Sequence, residues 1–144
     1  MDIPFELVKF FNSEHFNNYP VVEIPQTFED SRGKIINIAD GELGDVAIIT
    51  SQKSAVRAGH YHEEDWHLCF LLSGRMEYSW KDSSQEKEIQ RMSVKQGQLI
   101  FTPAQIPHRM IFSERSDMVV VSKKSRISSN YEADTIRLAE KYFE

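Results

Sequence analysis

Four of the chain's five histidines, His60, His62, His67 and His108, fall in one stretch of the sequence, at spacings that a small β-barrel can fold into one pocket. His60 and His62 sit two apart in Ala58-Gly59-His60-Tyr61-His62. On a strand, residues i and i+2 leave the same face about 6–7 Å apart, so these imidazoles can grip one ion or one substrate. His67 follows the polar turn Glu63-Glu64-Asp65-Trp66 and heads the apolar run Leu68-Cys69-Phe70-Leu71-Leu72, which stops at Ser73-Gly74. That order reads as strand, turn, strand, and brings His67 back beside the pair. His108 opens a further apolar strand, Arg109-Met110-Ile111-Phe112, after Gly97, the run Leu99-Ile100-Phe101 and the stiff link from Pro103 to Pro107.

The elements that must position these imidazoles are short strands. Segments rich in Val, Ile and aromatic residues recur at 21–24, 34–38, 46–50, 55–62, 67–72, 75–80, 87–94, 98–101, 108–112 and 118–121. Turn-type breaks such as Asp30-Ser31-Arg32-Gly33, Lys81-Asp82-Ser83-Ser84 and Gln96-Gly97 separate them. Such a series predicts an all-β sandwich or barrel. Over 67–72, His67, Cys69 and Leu71 share one face while Leu68, Phe70 and Leu72 share the other, which fits a strand covered on both sides. One cover is the barrel interior. The other is expected to be an extra sheet or a second subunit, which favours a homodimer, since jelly rolls hide flat sheets and edges in that way. Short helices are expected at the ends, over 5–11 and over 133–143, where Ile136, Ala139 and Phe143 follow Asp134 at helical spacing.

A chain of 144 residues and 16.8 kDa reads as one domain, able to bury roughly two-thirds of its unfolded surface and to enclose a ligand cavity. Its longest apolar run, Leu68 to Leu72, is far short of the ~20 residues that span a bilayer, and Met1-Asp2-Ile3-Pro4 lacks a basic leader. A cytoplasmic protein with no membrane partner is expected. Cys69 is the only cysteine, so no internal disulfide can form, and an inert buried thiol is expected there. A net charge of −5 and pI near 5.6, with scattered basic residues, argue against nucleic acid as a partner. The run Lys123-Lys124-Ser125-Arg126 is expected to be a solvated loop.

Gly59, His60, His62, His67 and Gly74, followed by Gly97, Pro103 and His108, resemble the two motifs of the cupins. His67 stands where that family usually has glutamate, and Gln105 where it usually has glycine. The resemblance implies a double-stranded β-helix, the cupin jelly roll, with short terminal helices: a single domain over 1–144, its barrel over about 30–122 and its C-terminal helix over about 133–143. Asp30-Ser31-Arg32-Gly33 and Arg57-Ala58-Gly59-His60-Tyr61-His62 further resemble the deoxysugar branch of cupins, the nucleotide-sugar 3,5-epimerases and 3,4-ketoisomerases. There Ala58 replaces the usual glycine.

That resemblance implies isomerisation or epimerisation of a keto-sugar, nucleotide-linked as in that branch. His60 or His62 would be base and acid in proton transfer beside the carbonyl. Arg57 would face the enolate or the diphosphate, and Tyr61 is a candidate proton donor although alternation turns it outward. The alternative is a metal site of His60, His62, His67 and His108. Three or four neutral imidazoles suit Zn(II), Ni(II), Fe(II) or Cu(II), as in a dioxygenase or sugar-phosphate isomerase. A third reading is a non-catalytic small-molecule sensor in the same barrel. Glu63, Glu64 and Asp65 are expected to form a solvated turn, with Asp65 also a candidate orienter of a histidine. Trp66 and Tyr19 are expected either at the pocket rim or packed in the core, and Arg75 and Glu77 as a surface ion pair. Phe101, Met110 and Phe112 are expected to line the barrel.

Overall fold

A computed structural model describes residues 2–82 and 88–144. Twelve strands are found among them: β1 (Val21–Val22), β2 (Gln26–Asp30), β3 (Gly33–Asn37), β4 (Asp45–Ser51), β5 (Val56–His62), β6 (His67–Ser73), β7 (Arg75–Trp80), β8 (Gln90–Lys95), β9 (Leu99–Thr102), β10 (His108–Phe112), β11 (Ser116–Ser122) and β12 (Thr135–Arg137). They form two five-stranded antiparallel sheets, ordered β1-β9-β6-β11-β4 and β12-β5-β10-β7-β8, and a separate β2-β3 hairpin. Every strand expected from the sequence is present, although Lys87, where one was expected to begin, lies outside the described residues, as do Ser83 and Ser84 of the expected turn.

The two sheets close on one another through side chains that alternate along each strand. Cys69 and Leu71 from β6, Met118 and Val120 from β11, Ile100 from β9, and Met76, Tyr78, Met110 and Phe112 from the opposing sheet form one buried cluster. Each fully buried side chain of this size contributes about 1.5–3 kcal/mol. The other face of the first sheet carries a second cluster, in which Leu68, Phe70, Leu99, Phe101 and Val121 meet Leu7, Phe11, Phe16 and Val22. The cover expected from an extra sheet or a second subunit is thus this chain's own N-terminal segment. Phe101 belongs to that outer cluster rather than to the barrel lining. Its ring meets Phe16 edge-on at 5.3 Å, and Phe16 meets Phe11 at 5.5 Å, contacts of about 0.5–1.5 kcal/mol each beyond burial. Trp66 is buried there too, not at a pocket rim, and Leu72 is left 44% exposed.

Both ends differ from expectation. The N-terminal segment carries short 3-10 turns over Phe5–Leu7 and Ser13–Phe16. No helix runs over 133–143: α1 (Ser128–Asp134) ends where that helix was expected to begin, β12 follows, and a 3-10 turn covers Glu140–Phe143. Tertiary pairing overrides the helical spacing, because Thr135, Ile136 and Arg137 pair with His62, Tyr61 and His60 of β5. No helix among the described residues is long and apolar enough to cross a membrane.

Candidate functional site

Strand pairing converges the four histidines. His60 stands opposite His108 across the β5–β10 ladder, and His67 opens β6 between Ser122 of β11 and Thr102 of β9. Ring centroids are 4.6 Å apart for His60–His62 and for His62–His67, and 4.9 Å for His60–His108. All four are buried. Burial, then the neighbouring imidazoles, push His60 down to about 2 and His62 down to about 4. His108 falls to about 3, mainly through burial, despite its hydrogen bond to the Ile106 carbonyl. These three imidazoles are neutral.

The hydrogen bonds fix which nitrogens are free. Thr135 donates its hydroxyl proton to the Tyr131 carbonyl at 2.7 Å, so His62 Nδ1, 3.2 Å away, must be the donor to Thr135 Oγ1. That leaves His62 Nε2 as a bare lone pair, buried and without a partner among the described residues. His108 Nδ1 donates to Ile106 O at 2.9 Å, leaving its Nε2 unprotonated. His67 donates through Nε2 to Asp65 Oδ2 at 3.0 Å. Burial alone would raise the Asp65 carboxyl, but the His67 hydrogen bond and the Lys124 backbone N–H, 3.0 Å from Oδ1, leave it below its ordinary value. Asp65 is therefore an ionised, buried orienter of His67, whereas Glu63 and Glu64 are exposed.

The turn that holds Asp65 is anchored from the C-terminal segment. Asp134 accepts the backbone N–H groups of Glu64 at 2.9 Å and Asp65 at 3.0 Å. Lys124 reaches both Glu64 and Asp134 and Arg126 lines the cavity, so two residues of the basic run belong to the site, whereas Lys123 is exposed. Sequence reasoning missed Asp134, Thr135, Tyr131 and Arg126. Tyr131 and Asp134 on α1, Thr135 on β12 and Arg126 on the segment after β11 reach the histidines by tertiary contacts that leave no local pattern.

A cavity of about 110 Å³ opens on these groups. His60, His67 and His108 face it, with Arg57, Arg126 and Tyr131, while Cys69, Met110, Met118 and Val120 supply its apolar wall. His62 is not in its lining and sits behind the other three. Tyr61 turns away, as alternation requires, and lies with Glu63, Glu64 and Gln105 on the outer surface. Burial pushes the Cys69 thiol up to about 12, which keeps it inert. Arg75 lies 3.9 Å from Glu114 rather than pairing with Glu77.

Arg57 shares the cavity with His60 because β5 bulges between them. Arg109 of β10 pairs with Ala58 where His108 pairs with His60, so Gly59 is an extra residue. Ala58 and Gly59 both have positive φ, +66° and +72°. Gln105 has φ +65°, so both residues that depart from the usual cupin glycines occupy the left-handed region that glycine favours.

The chain belongs to the cupin domain family, whose model matches residues 47–122. The fold is shared with dTDP-4-dehydrorhamnose 3,5-epimerase from Sulfolobus tokodaii, at 17% identity and TM-score 0.67 over 83% of this chain and 77% of that one. It is shared equally with the QdtA sugar 3,4-ketoisomerase from Thermoanaerobacterium thermosaccharolyticum in complex with TDP, at 18% identity and TM-score 0.67 over 87% and 93%. The WlaRB TDP-quinovose 3,4-ketoisomerase from Campylobacter jejuni matches at 17% identity and TM-score 0.67 over 82% and 92%. No curated protein matches the sequence.

Proposed function

We propose that this cupin isomerises or epimerises a nucleotide-linked keto-sugar by proton transfer at carbons beside the carbonyl. The observation that carries it is His67, hydrogen-bonded to Asp65, facing the same cavity as His60 and His108. Proton removal puts positive charge on an imidazole, and the carboxylate hydrogen-bonded to His67 stabilises that charge while holding the tautomer. A cavity imidazole, His67 or His60, takes the proton from carbon. An imidazole then returns one, to the opposite face for epimerisation or across the enediol for ketoisomerisation. His62 acts from behind, fixed by Thr135. The cavity is smaller than the ~300–1,000 Å³ of ordinary ligand sites, so the sugar enters and the diphosphate stays at the rim, where Arg57 is exposed. The likeness to sugar epimerases and ketoisomerases supports this reading. A cytoplasmic location fits it, with one buried thiol. In heavy water the protein should place deuterium in a TDP-linked 4-keto-6-deoxy sugar. Binding of TDP without any exchange would sink the enzyme reading and leave a sensor.

The donor set also fits a divalent metal. His60, His62 and His108 bring ligand atoms within 4.8 Å of one another, and His60 Nδ1 and His62 Nε2 are buried without partners among the described residues, as ligand nitrogens that take an ion would be. His62, Asp65 and His67 form a second such group, so the expected four-histidine set divides in two with His62 common to both. We propose Zn(II), Ni(II), Fe(II) or Cu(II) as the ion. It would polarise a carbonyl or activate water when bound, which also suits a dioxygenase or sugar-phosphate isomerase. Protein purified without chelator or nickel resin should carry transition metal, and Zn(II) should raise its melting temperature. His62→Ala should lose both effects. Occupancy below about a tenth with no Zn(II) stabilisation rules the metal out.

We also propose a homodimer. The β2-β3 hairpin carries exposed Phe28 and Ile35, and β4, at the edge of its sheet, exposes Val46 and Ile48. Apolar ribbons and open edges of this kind call for a strand partner, and a second copy supplies both. Light scattering should give twice the chain mass, and Ile48→Glu should halve it. A wild-type monomer at micromolar concentration would refute the dimer.

A further inference from the structure

The reaction proposed above leaves the guanidinium of Arg126 without a task. It comes from the segment after β11 and lines the cavity with the histidines. Its Nε is buried and makes no hydrogen bond among the described residues. The nearest carboxylate, Asp45, is 3.9 Å away, beyond hydrogen-bonding distance. The guanidinium carbon lies 5.4 Å from the centre of the Tyr131 ring, and that ring is 5.5 Å from His62. Arg126 is thus held over the Tyr131 ring in the cavity wall it shares with the histidines, in loose ionic contact with Asp45 and with no side-chain hydrogen bond among the described residues.

Arg57 is differently committed. Its Nε donates to Ser51 Oγ at 2.7 Å and its Nη2 to the Thr50 carbonyl at 2.8 Å, which ties it to the far end of β4. Asp45, beside Arg126, begins that strand. At about 3.3 Å per residue the two ends of β4 are roughly 20 Å apart, so the guanidinium groups approach the cavity from opposite ends. Only Arg126 is at the end where the imidazoles cluster.

A guanidinium held in a partly buried wall with free N–H donors is a preorganised receptor for an oxyanion. We propose that Arg126 stabilises the enediolate oxygen formed during proton transfer, leaving Arg57 to the diphosphate; this rests on the keto-sugar reading. In the step, the C–H bond beside the carbonyl breaks and its proton goes to a cavity imidazole. Its electron pair becomes the new C=C bond while the carbonyl π pair moves onto oxygen. That oxygen faces Arg126 until, for epimerisation, a proton returned to the same carbon restores its carbonyl. For ketoisomerisation it takes the proton that the neighbouring hydroxyl gives up through an imidazole, and protonation of the former carbonyl carbon leaves the neighbouring carbon as the new carbonyl. No oxidant or reductant is consumed.

The test measures steady-state turnover and deuterium exchange with a TDP-linked 4-keto-6-deoxy sugar. Arg126→Ala should lower kcat by about 10²–10³-fold with KM changed less than about threefold, because the interaction forms only as charge develops. Free guanidinium should restore part of the rate, and Arg126→Lys should retain more activity than Arg126→Ala. Thermal melting of each variant separates these effects from misfolding, and rescue by guanidinium requires a folded cavity. If wild-type protein exchanges and Arg126→Ala keeps its kcat, the Arg126 proposal alone is overturned. A raised KM without guanidinium rescue overturns it too, as ground-state binding. No exchange by wild-type protein overturns the keto-sugar reading and this proposal with it.

Discussion

His67→Ala is expected to slow carbon-bound proton exchange by about 10³-fold or more, within the range of general acid–base catalysis. His67 is the cavity imidazole with a carboxylate partner, at 3.0 Å, and its loss removes both the nitrogen that takes the proton and the charge pair that stabilises the result. Asp65→Asn should cost about 10²-fold or more by a different route. An amide can turn its NH₂ toward Nε2 and make that nitrogen an acceptor, which moves the imidazole proton to Nδ1 and leaves the wrong tautomer. His60→Ala should also slow exchange, because His60 shares the cavity. Exchange within tenfold of wild type in folded His67→Ala would mean that His67 only holds a ligand or a metal.

Gly74→Val is expected to have the largest effect on stability, a loss of about 2–5 kcal/mol, from left-handed strain and overpacking together. Gly74 has φ +90°, and a Cβ added there would stand 2.0 Å from Ser116 Oγ and 2.5 Å from the Arg115 carbonyl. Ser116 cannot simply move aside, because its hydroxyl donates to Glu114 O at 2.9 Å and accepts the Arg75 N–H at 3.1 Å. The hinge from β6 to β7 must open instead, and both core strands with it. For a chain of this size the loss should lower the melting temperature by on the order of 10 °C. A shift under about 2 °C would show that the hinge yields freely.

The strands of the barrel were legible because their apolar alternation and turn residues agree. β2 was not, because Gln26–Asp30 is exposed along its whole length and so has no buried face to mark a period. β12 was hidden by the helical spacing of Ile136, Ala139 and Phe143, which pairing with His60 to His62 outweighs. On β6 and β9 both faces are apolar, so the sequence could not say which face holds the barrel or what covers the other. The four histidines were legible, but not their division, since His67's tie to Asp65 and His62's place behind the cavity depend on contacts from α1 and β12. Arg126 read as part of a solvated basic loop, because nothing local marks that the segment after β11 turns back to the cavity.

The bulge in β5 has a consequence for parity. Residues an even number apart share a face of a regular strand, and His60 and His62 obey that rule. Arg57 and His60 are an odd number apart and line the same cavity, which one uncounted residue, Gly59, makes possible. One strand therefore runs in two phases, imidazoles in one and a guanidinium in the other. A sequence change that straightened β5 would turn Arg57 outward while leaving every histidine in place.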